Sequence, residues 1–208
     1  MPRLSRRESQ ARTRAGLLAA AARVLSRKGL QGASIDEVAQ EAGYTKGAFY
    51  ANFRSKEELF LALLDQHFAE HIEVVERELA GGGPLEQRAR AIGADFDRSS
   101  LADPGWQRLF LEFAVHATRD AGFRDELQTR YRALRRRITE LQRRWAAESE
   151  MEPALPYEDI TLMTCAMANG ASLERLIGPG DAPDDLYGRM LEIFVAGLRA
   201  RSQVASGP

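Results

Sequence analysis

With 208 residues, 44% hydrophobic and 28% charged, the chain has the balance of a globular protein that buries a core without disulfide or metal staples. Its single cysteine, Cys165, excludes an intrachain disulfide and fits a reducing compartment. The net charge of −1 hides an asymmetry: residues 1–56 carry eleven Lys/Arg against four Asp/Glu, and residues 57–208 carry eighteen against twenty-six, so the first quarter is suited to a polyanion and the remainder is not.

No apolar run approaches the roughly 18 residues of a membrane span. The short block Leu17 to Ala22 ends at Arg23, below the roughly 7–15 residues of a signal-peptide core. The chain is therefore expected to be cytoplasmic, with no membrane partner. Val, Ile and Thr are scarce while Ala, Leu, Glu and Arg dominate, which predicts an all-α fold.

The first nine residues, with Arg3, Arg6 and Arg7, show no apolar periodicity and read as a mobile basic arm able to meet phosphates. Leu17, Leu18, Ala21, Val24 and Leu25 predict a helix over about 10–28, closed by Gly29. Ser34-Ile35-Asp36-Glu37 is a capping box that opens a short helix ending at Gly43. Thr45 caps a third helix running to about 51, and Ser55-Lys56-Glu57-Glu58 is a second capping box. It opens a long helix that stops at Gly81-Gly82-Gly83-Pro84.

Five more helices are expected beyond that break. In the one over about 122–148, Phe123, Leu127, Tyr131, Leu134, Ile138, Leu141 and Trp145 form a core stripe. Arg135, Arg136, Arg137, Arg143 and Arg144 then fall on its outer faces. Met151 to Tyr157 reads as a loop. Ile160 to Leu173 carries no charge, which predicts a helix buried on more than one side. The last helix, about 184–201, is amphipathic. Ala166, Ala168, Gly170 and Ala171 permit close approach of another helix; with the last helix they suggest a two-fold homodimer interface, the alternative being burial within one chain.

Residues 35–51 have the layout of a helix-turn-helix. The turn must be tight, and Gly43 suits it. The second helix must bury one face, for which Phe49 and Phe53 serve, and present the other to a DNA groove. Tyr44, Thr45, Lys46 and Gly47 lie at its start, where such motifs meet base edges. Lys46 and Tyr44 are the candidates for base contacts, and Ser34, Thr45, Tyr50 and Lys56 sit where phosphates dock. Gly47 lacks a side chain and so allows close approach to the duplex.

The run G…S-I-x-x-V-A-x-x-A-G-x-x-x-G-x-x-Y-x-x-F-x-S-K-E-E-L, spanning Gly29 to Leu59 within about residues 10–64, closely resembles the tetracycline-repressor (TetR/AcrR) family. Tyr44, Thr45 and Phe49 stand where that family often has Val, Ser and Leu, which bears on the bases read. The resemblance implies a DNA-binding head over 1–56 with three helices, then a larger helical effector-binding and dimerisation domain over 57–208. About nine helices are expected in all. It also implies a homodimer on a near-palindromic operator, most often a repressor, released by a small-molecule effector. No enzymatic activity and no cofactor are implied.

His67 and His71 match the H-x-x-E-H pattern of a zinc-hydrolase helix. Lining a ligand pocket, holding a metal, or sitting half-solvated at the core boundary are all compatible with that spacing, and no metal site is assigned. Phe96, Trp106, Phe110, Phe113, His116, Tyr131, Met163 and Met167 are further pocket candidates, although such stripes also build plain core. Cys165 could sense oxidants or simply fill space.

Overall fold

A computed structural model describes residues 5–148 and 152–205, all helix and connecting turns. Arg3 and Met151 lie outside the described residues. The helices are α1 (Arg6–Gly32), α2 (Ile35–Glu41), α3 (Lys46–Tyr50), α4 (Lys56–Ala80), α5 (Leu85–Ala102), α6 (Pro104–Ala117), α7 (Ala121–Glu148), α8 (Tyr157–Ile177) and α9 (Leu186–Ala205). The chain divides into two compact units. One holds the residues up to His67 with Arg108–Leu127; the other holds Phe68–Gln107 with the residues after Leu127. The divisions fall inside α4, α6 and α7.

The first unit begins earlier than the apolar pattern suggests. Arg6 and Arg7 belong to the first turn of α1, because Ser5 and Glu8 form a reciprocal capping box. What reads as a loose arm is thus helical from Arg6. At the other end, Gly29 adopts φ 70 and α1 resumes for one more turn. Leu17, Ala20, Ala21, Val24 and Leu25 of α1 are buried, as are Val38, Phe49, Phe53, Phe60 and Leu64. Phe113 lies between Phe60 and Phe123, at ring distances of 5.8 and 6.0 Å, and completes this core.

In the second unit, Ala89, Ala168, Ala171, Tyr187 and Leu191 form a buried cluster, joined by Ile92, Phe96, Met167, Leu186 and Val195. Small residues let α5 and α9 meet closely: a Cβ on Gly93 would strike the Gly188 backbone. Asp97, almost fully buried, accepts from the Tyr187 and Gly188 amides at 3.3 and 3.0 Å and from Arg175 Nη2 at 2.6 Å. One carboxylate of α5 therefore caps α9 and anchors the end of α8. Within the single chain the uncharged stretch of α8 is only partly enclosed. Leu162, Met163 and Leu173 are exposed, because the chain covers only one side of this helix.

Removing one partner of a buried ion pair leaves the other charge uncompensated. Asp97→Ala should lower stability by about 3–5 kcal/mol in denaturant unfolding of the whole chain. Unchanged stability would contradict the anchoring role.

Candidate nucleic-acid interface

The α2–α3 turn is set by local chemistry. Gly43 has φ 72, and the amides of Gly43 and Tyr44 return to Gln40 O and Ala39 O at 3.0 and 2.9 Å. This paired closure ends a helix through a left-handed residue, which glycine supplies without strain. Thr45 then caps α3 by accepting from the Ala48 amide at 3.1 Å. That cap uses only the oxygen lone pair, so the hydroxyl proton can serve an outside acceptor.

Phe49 is fully buried and Phe53 lies 5.7 Å from it, ring to ring. Arg14 of α1 holds this junction by donating to Asn52 O at 3.0 Å and lying 4.2 Å from the Phe53 ring centroid. With Phe49 inward, Thr45, Lys46, Gly47 and Tyr50 all face out. Tyr50 is 52% exposed, its ring edge against Phe49. A Cβ on Gly47 would meet only Thr45 Oγ1, at an ordinary 3.7 Å. Nothing inside the fold thus requires a glycine there.

Three more of the predicted DNA-contact residues also serve the head internally. Tyr44 is half-buried, its ring packed so closely on α1 that a Cβ on Gly16 would come within 2.9 Å of it. Ser34 accepts from the Glu37 amide and donates to the Glu37 carboxylate, both at 3.2 Å. Lys56 donates to Leu30 O and Ala33 O at 2.9 and 3.1 Å. The second capping box is displaced: Ser55 caps Glu58 as expected, but Glu58 reaches the Arg54 amide at 2.8 Å.

The positive charge of this region is partly spent inside it. Arg23 and Arg27 pair with Glu41 at 2.9 and 3.0 Å, and Lys28 pairs with Glu37. Hydrogen bonds from Arg23 and then Arg27 hold Glu41 below the ordinary carboxylate pKa. Lys46 pairs with Asp36 at 3.0 Å, and that contact raises the lysine pKa. Asp36 was legible only as part of a capping box; the turn brings it to Lys46.

The candidate ligand residues fall in both units. His67, Phe110 and Phe113 belong to the first, where Phe113 is fully buried core. His71, Phe96, Trp106, Tyr131, Met163 and Met167 belong to the second. There the Phe96 ring lies 5.7 Å from His71 and 5.1 Å from Tyr187, and Tyr131 lies 5.3 Å from Phe68. Met167 and Phe96 both pack against the buried cluster of this unit, whereas Met163 is on the exposed side of α8. Tyr187, absent from the sequence candidates, donates to Thr164 O at 3.2 Å. Burial pushes the Cys165 thiol up to about 11; at neutral pH it is protonated and a poor nucleophile. Among the described residues, no group of three or more His, Cys, Asp or Glu is placed to hold a metal ion. Nor is any helix among them long and apolar enough to cross a membrane.

The pattern describing bacterial regulatory proteins of the tetR family matches residues 17–63, and that of the BetI-type transcriptional repressor C-terminal domain matches residues 84–200. The chain belongs to the tetR family. It is a helix-turn-helix transcriptional regulator, not an enzyme. The chain is 37% identical over 78 residues to the regulator YerO of Bacillus subtilis (strain 168), covering 36% of this chain and 27% of that one. It is 28% identical over 203 residues to the HTH-type transcriptional repressor AcnR of Corynebacterium diphtheriae, covering 96% and 98%. In fold it is similar to the transcriptional regulator FadR from Bacillus subtilis, solved in complex with stearoyl-CoA, with TM-score 0.71 and 13% identity over 87% and 96% of the chains. Neither pattern covers residues 64–80 of α4, so His67 and His71 are placed by the geometry alone.

His71 offers a test of that geometry. Burial lowers its pKa below 6.5, and the Asp95 carboxylate only partly offsets this. Between 6.5 and the folded value, the unfolded chain takes a proton that the folded chain refuses. The contribution is full above the ordinary value and is lost as pH falls toward the folded one. His71→Gln should flatten the decline of melting temperature between about pH 7.5 and pH 5. A decline identical to that of the wild type would contradict the buried placement.

Proposed function

We propose that this tetR-family chain is a cytoplasmic, homodimeric repressor that binds a near-palindromic operator and is released by a small molecule. The observation that carries the DNA reading is the division of α3. Phe49 is fully buried, while Thr45, Lys46, Gly47 and Tyr50 are exposed together. Such a helix enters a major groove with its first residues at the base edges. Residues 1–56 are the reading head. Lys46 is the base contact, with Tyr44 beside it. Thr45, Tyr50 and Lys56 meet the sugar-phosphate backbone, as does Ser34 at the start of α2. The repressor sign is supported by the repressor domain matched at 84–200 and by AcnR.

Arg6 and Arg7 are exposed in the first turn of α1 and are assigned to phosphates. Each phosphate neutralised adds about 0.9 to the slope of log affinity against log salt. Replacing both by alanine should therefore shallow that slope by about 2, measured by fluorescence anisotropy on duplex DNA. An unchanged slope would remove both arginines from the interface.

The dimer reading rests on apolar surface that the single chain leaves open. Ile177 of α8 and Ile193 of α9 are each 72% exposed, and Leu162 and Leu173 are exposed on the same helix as Ile177. A two-fold axis would bury these helices against their copies. Ile193→Glu should convert a dimer to a folded monomer in sedimentation equilibrium. A variant that sediments like the wild type would place the interface elsewhere.

For the effector, support comes from the stearoyl-CoA complex of FadR and from the ring contacts of Phe96 with His71 and Tyr187 in the second unit. His71, Phe96, Trp106, Tyr131 and Met167 of that unit are the proposed ligand contacts; Phe113 fills the core of the first unit, which also holds His67 and Phe110, and Met163 faces outward. Release requires that the ligand bind the DNA-incompetent state more tightly than the competent one.

A further inference from the structure

We propose that Asp36 is a specificity-determining residue, and that Asp36 and Lys46 together read one G·C pair in each half-site. The inference rests on the reading that α3 meets base edges.

A lysine alone is a poor discriminator. Its stem is flexible, and its ammonium donates to any nearby oxygen or ring nitrogen, phosphate oxygens included. Here the ammonium is held: Lys46 Nζ lies 3.0 Å from Asp36 Oδ1 and 3.1 Å from Oδ2. Both side chains are more than half exposed, at 56% and 66%, so the pair is presented outward as a unit.

Asp36 lies in the first turn of α2, where its charge suits the helix N-terminus, but it makes none of the bonds of the capping box. Glu37 makes the capping box with Ser34 and pairs with Lys28. Glu41 takes Arg23 and Arg27. A carboxylate on a surface that faces DNA weakens binding to every sequence alike. It also keeps Lys46 from settling on a phosphate, and it offers an acceptor next to a donor. In the major groove, guanine presents the acceptors N7 and O6, and its cytosine presents the N4 amino donor beside them. The held ammonium fits the guanine acceptors and the carboxylate fits the cytosine amino group. An A·T pair alternates acceptor, donor and acceptor, which sets the N6 amino group against the ammonium.

The test is selection of binding sites from random duplex DNA by the purified full chain, at one stated salt concentration. Wild type, Asp36→Ala and Lys46→Ala are compared, with melting curves confirming that both variants are folded. The wild-type site should contain a G·C pair at one symmetric position of each half-site. Asp36→Ala should relax that position by roughly tenfold, leave the others as they were, and bind unrelated duplex DNA more tightly. Lys46→Ala should lose the same position. An Asp36→Ala profile identical to the wild type, or a change in overall affinity alone, overturns the proposal. So does relaxation spread over many positions, which would mean that the head had moved. A wild type that recovers no site overturns the DNA-reading function itself, and this inference with it; that outcome is distinct from a defined site insensitive to Asp36.

Discussion

A helix of five residues cannot sustain itself in water, because nucleation costs more than its few hydrogen bonds return. α3 (Lys46–Tyr50) therefore exists only through the burial of Phe49. Phe53, one turn beyond, locks the exit of the helix, and Arg14 closes over both the ring and the Asn52 carbonyl. The same burial decides what faces outward, since with Phe49 turned in, Lys46 and Tyr50 are turned out. Recognition and stability are thus opposite faces of one packing event. A substitution that loosens Phe49 would damage DNA reading without touching a DNA contact.

Charge is distributed with similar economy. The excess of cations in the first 56 residues is a real attraction, yet part of it is already committed. The guanidinium groups of Arg23 and Arg27 bind α2 to α1 through Glu41. The backbone after the Gly29 kink is gripped by side chains of both signs. Lys56 takes the carbonyls of Leu30 and Ala33, and Glu112 accepts from the Leu30 amide. This clamp leads directly into Ser34, the cap of α2, and so sets where the reading head begins. The exposed arginines of the first turn of α1 are among the cations proposed to meet phosphates.

What could be read from the residues alone was whatever local chemistry determines. Ser34 with Glu37, Gly43 and Thr45 announce the α2–α3 corner because caps and left-handed turns depend on neighbours in the chain. The start of α1 was equally legible in Ser5 and Glu8, the same S-x-x-E spacing, but hydrophobic periodicity is silent there. Pairings across the fold were not legible. The positions of Asp36 and Lys46, or of Lys56 and Leu30, say nothing of contact until the turns are built. α8 shows a different limit: a run without charges signals burial but not by what. Its Leu162 and Leu173 remain exposed in the single chain. Among the ligand candidates, Phe113 and Met163 obey the same helical periodicity as Phe96, yet one fills a core and the other faces outward.

In the proposed complex two copies of α3 lie in successive major grooves on one face of a duplex. Methylation protection tests it directly, because dimethyl sulfate attacks guanine N7 in the major groove. A site bound by the wild-type protein should show two patches of protected guanine N7, centred about one helical turn apart. Protection confined to a single patch, or binding that leaves every guanine N7 reactive, would contradict it.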